Sequence, residues 1–167
     1  MLAFAIVCAA LVLTLLAAVE DVRRYTISNW IPGVLIALWP VYALASGLGW
    51  AEAGLNLLVG LGVLAAMIAL WMPGWLGGGD AKLIAALALW FGWPAVLNFL
   101  LLCVISGGVL ALSLLLLRRI APALPGRPGW IAATPLAEGA PVPYGVAIAA
   151  GAFWALPFSP LMASLIL

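Results

Sequence analysis

Met1-Leu2-Ala3-Phe4-Ala5-Ile6-Val7-Cys8-Ala9-Ala10-Leu11-Val12-Leu13-Thr14-Leu15-Leu16-Ala17-Ala18-Val19 runs for nineteen residues without a charge, and Glu20-Asp21-Val22-Arg23-Arg24 ends it. About 20 apolar residues carry a helix across the hydrocarbon core of a bilayer, so this stretch reads as a membrane span. A secretory signal would place its basic residues before the apolar run. Here the arginines follow it, and the segment is expected to be a retained span that enters from the outside.

Five more apolar segments follow. The second runs from Trp30 to about Leu48 and contains Pro32 and Pro40; the third covers 54–72 and ends before Pro73-Gly74. A short stretch, 81–91, follows Asp80 and stops at Gly92-Trp93-Pro94. The fifth covers 95–117, ended by Arg118-Arg119, and the last covers 144–167. The expected fold is therefore all-α: a polytopic membrane protein of six transmembrane helices. Its fourth is short enough to be partly embedded or preceded by a re-entrant loop.

Composition agrees. Of 167 residues 68% are hydrophobic, and only six Lys/Arg and five Asp/Glu are present. Charged residues make up 7% of the chain, against about 25% in soluble domains, which excludes a soluble globule. With no His and two isolated Cys, neither a His/Cys zinc site nor a His-activated nucleophile can be assembled. No metal or cofactor is expected. A net charge of +1 offers no basic surface for nucleic acid. Chemistry must come from carboxylates, hydroxyls, amides, Arg and Lys.

Basic residues set the expected orientation. Arg23 and Arg24 lie between spans one and two, Lys82 between three and four, and Arg118, Arg119 and Arg127 between five and six. The other two loops carry none, so the basic loops are expected in the cytoplasm and both termini outside. Trp30, Trp50, Trp71, Trp75, Trp93 and Trp130 suit interfacial positions. Residues 118–143 hold six of the twelve prolines. They read as a cytoplasmic Pro/Gly-rich loop within one membrane-embedded domain, 1–167.

The acids carry the functional question. Glu52 and Glu138 read as solvated loop residues, whereas Glu20, Asp21 and Asp80 each abut an apolar span. Two crossings separate Asp21 from Asp80, so both carboxylates return to the same face. Asp80 stands in Gly77-Gly78-Gly79-Asp80-Ala81-Lys82. The glycines leave room for close approach of another backbone, such as an extended peptide, and Asp is a favoured N-cap. A flexible loop with a capped helix would account for the same residues. Lys82, two positions on, would point away from Asp80 on a helix and serve as a cytoplasmic anchor. On these residues three readings stay open: an aspartic endopeptidase, a small ion-coupled transporter using the acids as a relay, and a non-catalytic assembly subunit.

Asp21-x-Arg23-x-x-x-Ile27-x-Asn29, followed by Gly77-x-Gly79-Asp80-x-Lys82, resembles the type IV prepilin peptidases, polytopic aspartic proteases of the GxGD class. Pro143-Tyr144-Gly145 at the last span also looks like that family. The resemblance implies Asp21 and Asp80 as catalytic aspartates. It gives Gly77, Gly78 and Gly79 as loop-shaping or substrate-binding residues, and Arg23, Asn29 and Lys82 as recurrent polar positions. It implies a prepilin-like protein substrate, cut next to its short basic leader at the cytoplasmic face of a prokaryotic inner membrane. Two departures stand out. Many members read Ile-Pro-Asn where this chain has Ile27-Ser28-Asn29. The chain also lacks the cysteine-bearing insertion of the bifunctional enzymes, and so looks like the compact, peptidase-only form associated with tight-adherence (Flp-type) pili. Glu20 and Glu138 are candidates to meet the basic leader.

Overall fold

The computed structural model describes residues 1–120, 134–137 and 139–166. Arg127, Trp130 and Glu138, with most of the 118–143 loop, lie outside the described residues. Regular structure among the described residues is helical: α1 (Leu2–Arg24), α2 (Trp30–Ala45), α3 (Trp50–Trp71), α4 (Gly78–Phe91), α5 (Ala95–Ile120), α6 (Tyr144–Ala155) and α7 (Leu161–Ile166), with a 3₁₀ turn at Leu156–Phe158. Three of these, α1, α3 and α5, are long and apolar enough to cross a membrane. The others are apolar but shorter, α2 with 16 residues, α4 with 14 and α6 with 12.

Three boundaries differ from the sequence expectation. Trp50 to Ala53, expected in a loop, form the first turn of α3 behind an extended Gly49, with Glu52 at the positive end of the helix dipole. Helix α4 starts at Gly78 rather than after Asp80, so Gly77 takes the N-cap position and Asp80 is the third helical residue. The last apolar run is not one helix. It breaks after Ala155, where Pro157 and Pro160 cannot supply backbone donors to a continuing helix.

Helix α4 is the centre of the molecule. Ala81 and every residue from Leu83 to Phe91 are buried, as expected of a helix that is apolar all round. Its far end is locked by stacking of Phe91 on Phe99, with ring centroids 4.7 Å apart. Trp90 stacks on Tyr42 and donates its indole N–H to the Leu35 carbonyl at 3.1 Å. On the opposite flank, a side chain at Gly60 of α3 would sit 3.2 Å from Leu89 Cβ.

Contacts between helices fix their directions. Lys82 meets Asn29 and Trp90 meets Leu35, so α2 and α4 run parallel. Gly60 faces Leu89 while Gly78 faces Trp71, so α3 runs antiparallel to α4. A Cβ on Gly151 would fall 2.6 Å from the Cys103 backbone nitrogen, and one on Gly107 would strike Tyr144. Helices α5 and α6 are therefore antiparallel and in backbone contact. The chain winds up and down, and one end of the bundle gathers the last turns of α1, α3 and α5 with the first turns of α2, α4 and α6. Every charged side chain among the described residues lies at that end except Glu52.

Candidate active site

Asp21 occupies the last turn of α1 and is buried, 6% exposed. Its carboxylate is not left bare. The backbone N–H of Gly145 donates to Asp21 Oδ2 at 2.7 Å. Gly145 is the second residue of α6, where helix N–H groups lack intrahelical acceptors and the dipole favours negative charge. Only glycine fits so close, because a Cβ there would lie 2.9 Å from Asp21 Cβ and 3.1 Å from Oδ2.

Asp80 faces the same space from α4. Its carboxylate folds back over Gly77, where a Cβ would lie 2.5 Å from Asp80 Oδ2. Asp80 Oδ1 is buried and has no hydrogen-bond partner among the described residues. The two aspartates interact electrostatically, and the Tyr144 hydroxyl also lies within the field of Asp80. One carboxylate thus has a backbone donor, and its neighbour has a buried oxygen with none.

The glycine run is packed against the chain itself. A Cβ on Gly79 would sit 3.1 Å from Ile27 Cβ and 3.3 Å from the Ile27 backbone, so Gly79 seats the α1–α2 loop on the first turn of α4. A Cβ on Gly78 would sit 3.2 Å from the Trp71 indole nitrogen. Lys82 points away from Asp80, as the helical spacing implies. It donates from Nζ to Asn29 Oδ1 at 2.8 Å, joining α4 to the start of α2. Arg23 is exposed and is not among the groups drawn into the site.

Three interactions had no signature in the sequence. Glu20 takes both the Ser28 N–H at 2.8 Å and the Ser28 hydroxyl at 2.6 Å, so its carboxylate is occupied within the chain. Arg118, read from the sequence as a topological charge, donates to the carbonyls of Pro135 (2.7 Å), Ala140 (2.7 Å) and Pro141 (3.3 Å). It thereby ties the end of α5 to the segment leading into α6. The Gly145 donor is the third, supplied by a backbone group that any residue but proline would carry.

The model of the type IV leader peptidase family matches residues 8–112 of the chain, which include both aspartates and the glycine run. The chain belongs to the type IV leader peptidase family. Among curated proteins, it is similar to the prepilin leader peptidase/N-methyltransferase of Pectobacterium carotovorum subsp. carotovorum, 39% identical over 62 residues, covering 31% of this chain and 22% of that protein. It is likewise 36% identical over 69 residues to the enzyme of the same name from Aeromonas salmonicida (strain A449), covering 35% of this chain and 24% of that protein. The match thus spans less than a quarter of the length of these curated relatives. No solved structure matches the chain. Within the chain of this family, Tyr144 and Gly145 lie beyond the matched residues, yet the Gly145 N–H meets the Asp21 carboxylate.

Proposed function

We propose that the chain is a membrane aspartic endopeptidase. It removes the short basic leader from prepilin or prepilin-like precursors at the cytoplasmic face of a prokaryotic inner membrane. The observation that carries this reading is the meeting of Asp21 and Asp80 at one end of the bundle, one with a backbone donor and one without. Family membership supports the substrate class, and the clustering of Arg23, Arg24, Lys82, Arg118 and Arg119 at the same end supports a cytoplasmic site. The relatives' N-methyltransferase activity is not part of the proposal.

The asymmetry divides the labour. Two adjacent carboxylates share one proton more easily than both ionise. An ionised carboxylate is cheapest where a donor meets it, which is Asp21 beneath Gly145. A buried oxygen without a donor is costly as an anion, so the shared proton rests on Asp80. Asp21 takes a proton from water as the water oxygen bonds to the scissile carbonyl carbon, and Asp80 gives its proton to the carbonyl oxygen. As the C–N bond breaks, Asp21 returns its proton to the leaving nitrogen. Asp80 recovers a proton from the gem-diol as the carbonyl reforms.

Co-expression with a precursor carrying a Lys/Arg leader, a glycine and an apolar helix tests the proposal. The mobility shift of cleavage disappears in Asp21→Asn and in Asp80→Asn. Cleavage that survives either change refutes the dyad.

A further inference from the structure

We propose that Glu20 and Ser28 form a positioning pair that holds the α1–α2 loop down on α4 and so sets where Asp80 stands relative to Asp21. The inference rests on the endopeptidase reading. Helix α1 ends at Tyr25, whose φ of 54° puts a non-glycine residue in the left-handed region, and whose N–H closes on the Asp21 carbonyl at 2.8 Å. That conformation is disfavoured for a residue with a Cβ, so something must hold the loop that follows it. Glu20 does this through both carboxylate oxygens, one on the Ser28 N–H and one on its hydroxyl. Hydrogen bonds to an ionised acceptor are the strong ones.

Geometry carries the effect onward. Ser28 adjoins Ile27, which is 8% exposed and sits against the Gly79 position at van der Waals limit. Gly79 adjoins Asp80. On the other side of Ser28, Asn29 is bonded to Lys82 of α4. Glu20 itself adjoins Asp21. The chain Asp21–Glu20–Ser28–Ile27–Gly79–Asp80 therefore runs from one candidate catalytic carboxylate to the other without a break. Neither Glu20 nor Ser28 touches the reacting atoms, so both act through the aspartates.

Four purified full-length variants test this on the Lys/Arg-leader precursor: Glu20→Ala, Ser28→Ala, the double variant, and Ser28→Thr. Small displacements of reacting groups cost large factors in rate. Glu20→Ala is expected to lower kcat roughly tenfold with KM unchanged, Ser28→Ala to lower it less, and the double variant to match Glu20→Ala, because coupled residues are not additive. Ser28→Thr, which keeps both donors, restores the rate. Multiplying losses overturn the proposal. So does a rise in KM that vanishes when the leader charges are removed, which would make Glu20 a leader contact. Hydrogen exchange reads the same variants without cleavage. Protection must fall together at residues 25–29 and 79–82, and a fall confined to 25–29 overturns the inference whatever the precursor does. Failure of the dyad reading shows separately, as cleavage by Asp21→Asn or Asp80→Asn.

Discussion

Gly145 and Asp21 are 124 positions apart in the chain, yet the backbone N–H of one is 2.7 Å from the carboxylate of the other. This bond joins α6 to α1 at the end of the bundle where α4 brings Asp80. It also explains why a residue without a side chain stands at that position. A Gly145→Ala protein is expected to fold, with Asp21 pushed from its place by the new methyl group. Single-turnover cleavage should slow by roughly 10- to 100-fold, while the melting temperature in detergent moves little. Wild-type turnover from this variant would detach Gly145 from the site.

The three consecutive glycines should not respond alike. Gly77→Ala brings a methyl group to 2.5 Å from Asp80 Oδ2, so it strikes the Asp80 carboxylate itself. Gly79→Ala meets Ile27, including its backbone, at 3.1–3.3 Å, and is expected to lower both stability and rate. Gly78→Ala meets only the ring of Trp71, which is 51% exposed and can swing aside. Cleavage assays should rank the losses Gly77 above Gly79 above Gly78. A Gly78 variant as damaged as Gly77 would contradict that order.

On the proposed mechanism, rate against pH should form a bell. The acid limb arises as Asp21 takes up a proton and loses its power to accept one from water. The alkaline limb arises as the pair gives up its shared proton and the carbonyl loses its acid. Two carboxylates that share a proton titrate as a unit, so the limbs would belong to the proposed dyad rather than to either residue. A single sigmoid in kcat/KM, with only one limb between pH 4 and 9, would argue against shared-proton catalysis.

Arg118 offers a test of the loop that leads into α6. Its planar fork reaches carbonyls of Pro135, Ala140 and Pro141 together. A lysine cannot reproduce that geometry, so Arg118→Lys should be nearly as damaging as Arg118→Gln. Losing hydrogen bonds from a charged donor costs about 1.5–3 kcal/mol each at most. Thermal unfolding in detergent, with exchange at Gly145, measures the result. A fully stable Arg118→Lys protein would leave the arginine only its topological charge.

Much of the fold was legible because apolar length and basic punctuation are properties of local sequence. That Asp21 and Asp80 share one face was legible through the parity of the two intervening crossings; their approach to each other was not. Nor was the start of α4. Gly78 and Gly79 disfavour helix by intrinsic propensity, yet both are helical, with Trp71 and Ile27 packed where side chains would otherwise be. Pro157 and Pro160 were in plain view, but the apolar run around them concealed the break they impose. The pairing of Glu20 with Ser28 could not be foreseen, since an acid beside a basic stretch reads equally well as a contact for a charged leader. Gly145 was visible as part of a family motif, whereas the donor role of its backbone depends wholly on tertiary placement.

Helix α4 also behaves as a ruler. Its far end is clamped by Phe91 on Phe99 and by Trp90 on Leu35, and its near end carries Asp80. A helix advances 1.5 Å and turns about 100° per residue, so the angular setting of Asp80 is counted out from that distant clamp. Inserting one alanine between Lys82 and Trp90 would barely change composition or hydrophobicity. It would nonetheless rotate the carboxylate about 100° out of phase with Asp21.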